Sequence, residues 1–450
     1  MGLTGIQIFK MLPKTNCKEC GSPTCLAFAM QLAAGKAELD KCPYVSDEAR
    51  AQLSEASAPP IRGVGIGTGD KAVKIGEELV MYRHEKTFIN PTAVAVLVTD
   101  EMADDEVNAK INNLNTVSFE RVGLTLEPNL LAVKNTSGDA GKFEALVKKA
   151  LGATEKGLIL ISDDLAALEA GAKAANDKKA LLYAATADNA DKVAAIAKET
   201  GSSVVAKGDS VEAVSNFTKT IVDAGVKDIV LDTSAGNLKQ MFYDNHQVRR
   251  AALKAKNKDL GFPTINMVCD LTDDPYKEAL YAAISIAKYG GIVVMSDVDK
   301  ERMLPLLVQR LNLYTDPQRP MLMDEGIYGI NKPGPDSPVI ITTNFALTYF
   351  IVSAEVEASR VPTWLLIMDV EGMSVLTAWS AGKFVADAMA PFTVKSGITE
   401  KVNHKKIIIP GYVAQISGEF QEELGDEWEV IIGTREAADL PAFLKKMTGA

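Results

Sequence analysis

The sequence predicts a multidomain α/β chain: a small cysteine-bearing module over 1–60, a central (β/α)8 barrel of the TIM type over 61–320, and an open, Rossmann-like α/β domain over 321–450. Three observations carry this expectation. Four of the five cysteines fall within the first 42 residues. Eight short β-rich runs then alternate with helical stretches, at 92–99, 130–134, 157–162, 180–184, 203–207, 228–232, 264–268 and 291–296. After Met321 the composition shifts to the loop Asn331, Lys332, Pro333, Gly334, Pro335, Asp336, followed by the apolar runs Val339–Ile341, Trp364–Met368, Ile407–Ile409 and Val430–Ile432.

The first module ends in Ala56, Ser57, Ala58, Pro59, Pro60, a small, proline-closed stretch that reads as a linker. Strands separated by helical crossovers pair in parallel, and eight such units match a closed barrel, with an open doubly wound sheet as the competing arrangement. The stretch Gly63–Gly69, GVGIGTG, lacks the strand–turn–helix setting of a dinucleotide loop, so a turn or hairpin closing the barrel floor is the expectation. The late runs, each with a helix after it, read as a small parallel sheet whose ligands would sit at the strand carboxyl ends.

A formal charge of -11 argues against a nucleic-acid partner, because phosphate-backbone affinity comes from clustered Lys and Arg. No run approaches the roughly 18 apolar residues of a membrane span, and the amino terminus lacks a signal-peptide core. No membrane association and a cytoplasmic location are therefore expected, and there crowded cysteines suggest metal rather than disulfides.

Cys17, Cys20, Cys25 and Cys42 are spaced Cys-x2-Cys-x4-Cys-x16-Cys. Three close thiolates and a remote one can cap the corners of a [4Fe–4S] cubane, and Pro43 resembles the Cys-Pro ending of bacterial ferredoxins. Ser22 as N-cap and Pro23 at the first helical position would place Cys25 in the first turn of a helix running to about Ala34 and stopped by Gly35, whose positive end faces the cluster. Structural zinc is the alternative, though zinc sites favour two paired knuckles and only one is present. Cys269, at the end of the seventh barrel run, reads as a small buried hydrophobe.

The opening Met11-Leu-Pro-Lys-Thr-Asn-Cys-Lys-Glu-Cys-Gly-Ser-Pro-Thr-Cys-Leu-Ala-Phe-Ala with Cys42-Pro43-Tyr44, the segment Arg83-His84-Glu85-Lys86-Thr87-Phe88, and the late Thr-Thr-Asn and Pro-Gly-Tyr loops resemble one family. It is the large (gamma) subunit of the corrinoid iron–sulfur protein of the reductive acetyl-CoA pathway, found also in the acetyl-CoA decarbonylase/synthase complex. The resemblance covers essentially the whole chain. It implies a [4Fe–4S] module, a barrel and a carboxyl-terminal corrinoid-binding domain, with a small subunit as partner in a heterodimer. It also implies a methyltransferase component that carries a methyl group from methyltetrahydrofolate, through a separate methyltransferase, to acetyl-CoA synthase/CO dehydrogenase, the cluster reducing Co(II) for reactivation.

The corrinoid would be held at the late loops, where Thr342, Thr343, Asn344, Thr348, Gly372, Ser374, Gly411, Tyr412, Gly433 and Thr434 offer hydroxyls, an amide and close backbone approach suited to a largely neutral ring. The chain has three histidines, His84, His246 and His404. Asp244-Asn245-His246 begins the Asp-x-His-x-x-Gly pattern of cobalt-ligating histidines, but Arg249 stands where the glycine would be. No protein histidine on cobalt is therefore expected, and this absence eases reduction to Co(I). Asp100, Asn135, Asp163, Asp232, Asn266 and Asp297 lie at barrel-strand carboxyl ends, where Asp and Asn also cap helices, so no catalytic residue is assigned and partner docking is the expectation for the barrel. An alternative from another class is an iron–sulfur electron carrier or reductive activator serving a corrinoid held on another protein.

Overall fold

The computed structural model describes residues 4–33, 37, 39–46, 48–50, 53, 59–121 and 124–449. The expected helix end at Ala34 and Gly35, and the linker residues Ala56, Ser57 and Ala58, lie outside the described residues. The chain forms two compact units, one of residues 1–82, 88–117 and 128–314, the other of residues 83–87, 118–127 and 315–450.

The first unit opens with two helices, Gly5–Met11 and Cys25–Ala33. A hairpin follows, β1 (Val64–Ile66) paired antiparallel with β2 (Val73–Ile75). Eight parallel strands then close into a barrel: β3 (Ala93–Thr99), β6 (Leu130–Lys134), β7 (Gly157–Ile161), β8 (Leu181–Ala185), β9 (Ser203–Lys207), β10 (Ile229–Asp232), β11 (Thr264–Met267) and β12 (Gly290–Met295). Every strand end lies within one residue of its expected position, and the closed order β10-β11-β12-β3-β6-β7-β8-β9 excludes the open sheet. The strands read clearly because both their faces are buried, so each is a continuous apolar run.

Inward residues such as Ala95, Ala132, Ile159, Val205, Val230 and Val294 fill the barrel, and Val64, Ile66 and Ile75 of the hairpin join the same core. The hairpin closes the amino-terminal floor. Its Gly65 carbonyl accepts from the Ser203 hydroxyl at 3.0 Å, and the Gly67 N–H donates to the Lys179 carbonyl at 3.0 Å.

Helix capping in the barrel is done by a different set of residues from the strand-end Asp and Asn. Asp139, Asp164, Ser210, Asn237, Asp274 and Asp299 accept from first-turn N–H groups. Asp100 instead gathers the N–H and hydroxyl groups of Thr136 and Ser137. A second hairpin, β4 (Phe119–Arg121) with β5 (Leu124–Leu126), was not expected; its partly exposed three-residue strands give little periodicity to read.

The second unit carries a five-stranded sheet ordered β13-β15-β14-β16-β17: β13 (Gly326–Ile330), β14 (Val339–Thr343), β15 (Thr363–Met368), β16 (Lys406–Ile409) and β17 (Glu429–Ile432). The four expected strands are parallel, but β13 adds an antiparallel edge beside β15 that corrects the purely parallel expectation. Its sequence, GIYGI, is half-buried and glycine-bearing, as an edge strand can be. Val339, Ile341, Leu366, Ile407 and Ile409 pack on one face of the sheet, and Ile340, Leu365, Ile367 and Ile408 on the other.

Candidate cofactor sites

In the amino-terminal module the loop before the second helix runs through left-handed backbone at Lys14, Asn16, Lys18 and Gly21. Asn16 ties this loop to the helix start: its side-chain oxygen accepts the Cys25 N–H at 2.8 Å, and its own N–H donates to the Cys25 sulfur at 3.4 Å. The helix cap is Thr24, whose hydroxyl accepts the Ala27 N–H at 3.1 Å. Ser22, expected in that role, is buried and donates to Gln31 at 2.9 Å instead, because the helix begins two residues later than Pro23 suggested.

All four cysteines are free thiols. Cys25 and Cys42 are buried in one cluster with Phe28, and Cys20 packs against it, whereas Cys17 is exposed. Among the described residues no three His, Cys, Asp or Glu side chains are gathered as a metal ligand set. The donor types and the N–H aimed at the Cys25 sulfur suit an iron–sulfur centre, whose sulfurs accept such bonds; convergence of the four is not seen.

In the second unit, the chain runs from β14 outward to β15 and then returns to the other side of β14 as β16. This reversal of strand order is where open α/β sheets form a ligand crevice. β14 and β16 share one register pair, Ile340 with Ile408, so the strands part toward their carboxyl ends. A cleft of ≈ 300 Å³ opens there, walled by apolar residues including Ile351, Val352, Leu376, Ile409 and Leu440.

The cleft is apolar with a few polar points. The Thr342 hydroxyl is buried, lines it, and has no hydrogen-bond partner among the described residues. Tyr412 is half-exposed and donates to Glu436, a bond that raises the tyrosine hydroxyl above its ordinary range. Thr434 donates to the Glu436 carbonyl at 2.8 Å, and Ser374 shares a hydrogen bond with Thr377 at 2.9 Å.

Two family models match the chain: "CO dehydrogenase/acetyl-CoA synthase delta subunit" over residues 63–444 and "Putative Fe-S cluster" over residues 12–44. The corrinoid/iron-sulfur protein large subunit of Moorella thermoacetica is 42% identical over 445 residues, 99% of this chain and 99% of that one. The chain belongs to this large-subunit family. Acetyl-CoA decarbonylase/synthase complex subunit gamma of Methanopyrus kandleri is 34% identical, covering 99% of this chain and 98% of its own, and that of Archaeoglobus fulgidus is 35% identical with 98% and 97% covered. Among solved structures, dihydropteroate synthase from Thermus thermophilus is similar over 56% of this chain and 99% of its own, with 15% identity and a TM-score of 0.39. The 7,8-dihydropteroate synthase of Vibrio fischeri gives 11% identity and 0.41, covering 56% and 100%. The barrel described above rests on its own strand pairing.

Within this family member, Thr342, Thr348, Ser374, Tyr412, Gly433 and Thr434 line the cleft, whereas Thr343, Asn344, Gly372 and Gly411 do not. Thr343 lies on the opposite face of β14 and is fully buried, its hydroxyl also without a partner among the described residues. Asn344 is consumed in shaping the loop after β15: its amide donates to Asp369 at 2.8 Å and its oxygen accepts from Val370 and Gly372 at 3.1 and 3.0 Å. Gly372 has a left-handed backbone and Gly411 packs against the backbone of the loop after β17, so both act through the chain path. The apolar walls were missed, since Ile, Val and Leu read as core. One signal was available: the helix Ala346–Ser359 leaves Leu347 and Ile351 exposed at i, i+4 spacing, beyond what one buried face needs.

None of the three histidines lines this cleft. His404 uses both ring nitrogens, one on the Ser337 carbonyl at 3.0 Å and the other accepting the Lys406 N–H at 3.2 Å. His246 lies beside Tyr289 on the helix Leu238–Leu253 of the first unit, and neighbouring Asn245 is bonded to Asn266 at 2.9 Å. No helix among the described residues is long and apolar enough to cross a membrane.

Proposed function

We propose that this chain is the large subunit of a cytoplasmic corrinoid iron–sulfur protein, a methyltransferase component holding a [4Fe–4S] cluster on Cys17, Cys20, Cys25 and Cys42 and a corrinoid at the carboxyl-terminal cleft. The observation that carries it is the 42% identity to a corrinoid/iron-sulfur protein large subunit across 99% of both chains. When bound, the corrinoid supplies a cobalt that accepts a methyl group from methyltetrahydrofolate through a separate methyltransferase and yields it to acetyl-CoA synthase/CO dehydrogenase, and the cluster supplies the electron that restores the cobalt after oxidation.

The protein's own residues do the holding. The apolar cleft walls cover neutral parts of the ligand and exclude water, and Thr342 offers the ligand a hydroxyl that nothing else uses. Thr348, Ser374, Tyr412 and Thr434 add polar contacts at its rim, while Thr343, Asn344, Gly372 and Gly411 set the loops. The positions of His84, His246 and His404 outside the cleft support a cobalt without a protein imidazole. A small corrinoid-protein subunit completes the heterodimer.

The test is anaerobic co-purification with the small subunit, followed by iron and cobalt analysis and electron paramagnetic resonance of Co(II). The expected result is about four irons and one cobalt per heterodimer, with no nitrogen splitting from a protein ligand. Iron without cobalt would instead favour an electron carrier for a corrinoid held elsewhere.

A further inference from the structure

Three neighbouring barrel strands each deliver a polar side chain to one cavity of ≈ 230 Å³ at their carboxyl ends: Tyr183 from β8, Lys207 from β9 and Asp232 from β10, joined by Asp270 just beyond β11. Barrels of this type carry their chemistry at this end. Asp232 is only 5% exposed, yet it lines the cavity. Its carboxylate accepts the Tyr183 hydroxyl on one oxygen and the Ser234 N–H, at 2.8 Å, on the other. A carboxylate has about four acceptor sites, so two remain open.

The other groups are as incompletely used. The Lys207 ammonium stands 5.0 Å from the Tyr183 ring centroid and has no ion pair among the described residues. Asp270 likewise lacks an ion-pair partner among them, its nearest polar contact being the Cys269 sulfur at 3.9 Å. Asn266 takes no part in the mouth: its oxygen accepts from Asn245 and Ser285 at 2.9 and 2.7 Å and its amide donates to Asn245 at 3.4 Å, all on the helix side of β11. The mouth therefore offers two carboxylate acceptors beside one ammonium donor. One lysine against two carboxylates disfavours a phosphate or other anion, and the lysine disfavours a simple cation.

We propose that the barrel mouth binds a small uncharged heterocycle that presents N–H donors beside a ring carbonyl, the N–H groups meeting Asp232 and Asp270 and the carbonyl meeting Lys207. Burial holds the Tyr183 hydroxyl protonated far above its ordinary range, so it stays a donor to Asp232, whose own carboxyl is also pushed up by burial.

The full chain is titrated with isocytosine by saturation-transfer nuclear magnetic resonance, with 1,3-dimethyluracil, which has carbonyls but no N–H, as the control. Saturable isocytosine binding, weakened at least tenfold in both Asp232→Asn and Lys207→Met and absent for the control, is the expected result. No saturable binding, unchanged affinity in either variant, or equal binding of the control overturns the proposal. Circular dichroism melting checks each variant's fold, and Asp270→Asn takes the place of Asp232→Asn if that variant does not fold.

Discussion

Gly411→Ala is the sharpest probe of the carboxyl-terminal cleft. A Cβ at this position would sit 2.6 Å from the Gly433 oxygen and 2.9 Å from both the Arg435 nitrogen and the Thr434 carbonyl carbon, all backbone atoms that no rotamer change can move. The loops after β16 and β17 would have to separate, straining the Gly411 N–H bond to the Thr434 carbonyl, now 2.9 Å. Overpacking of this kind costs about 1–3 kcal/mol, and a lost buried hydrogen bond about 1 kcal/mol more, so a destabilisation of about 2–4 kcal/mol is expected. The assay is urea unfolding followed by tryptophan emission, because all three tryptophans, Trp364, Trp379 and Trp428, lie in the segment Thr315–Ala450 and report that unit. Gly418→Ala is the control: it sits in the helix Ser417–Leu424 with nothing within 4 Å of its Cβ position, and alanine there should stabilise by about 0.5–1 kcal/mol. A Gly411→Ala protein within about 0.5 kcal/mol of the parent would refute the reasoning from loop contact.

Other expectations follow from the same contacts. Thr342→Val removes a buried hydroxyl that has no partner, so without corrinoid it should be neutral or stabilise by up to about 1 kcal/mol, while cobalt retained through gel filtration falls; a clear destabilisation of the cobalt-free protein would contradict this. Arg249→Met leaves Glu78 buried without its 3.0 Å partner, and should cost about 3–5 kcal/mol in urea unfolding read by far-ultraviolet circular dichroism. Burial pushes the Tyr314 hydroxyl up to about 12, above its ordinary 10, so its share of stability is complete below pH 10 and is lost as pH climbs from 10 toward 12. Absorbance at 295 nm should therefore show a late-ionising fraction, and all eleven tyrosines titrating in one step near pH 10 would count against it.

How much was legible depended on what a residue's type reveals about its surroundings. The barrel strands announce themselves because Leu130-Leu131-Ala132-Val133 or Ile229-Val230-Leu231 is buried on both faces, leaving no polar residue to blur the limits. β13 and the β4–β5 hairpin escaped because partial exposure and very short strands erase the pattern. The cleft was half legible. Polar residues at strand ends, Thr342, Tyr412 and Thr434, point to a site, whereas Ile351, Leu376 and Leu440 could equally have been core, and only the parting of β14 from β16 distinguishes the two. Neighbouring residues also divided roles that sequence could not separate: Thr342 faces the cleft while Thr343 is buried on the other side of the sheet, a consequence of strand alternation. In the barrel mouth, Asp232 was visible as a strand-end residue, but its convergence with Tyr183 and Lys207 depends on the barrel curving β8, β9 and β10 around one end.

The second unit is not one continuous stretch of chain. Residues 83–87 and the hairpin-bearing 118–127 belong to it, with Arg83 donating to the Thr315 carbonyl at 3.1 Å and Arg121 lying 5.3 Å over the Phe350 ring. Ribosomal synthesis therefore releases these pieces long before the sheet they join exists, and they wait without their neighbours until the last helix emerges. A fragment cut at residue 315 would inherit the cleft but lack both arginine contacts, so domain swapping or grafting experiments on this family need to carry the two early segments along.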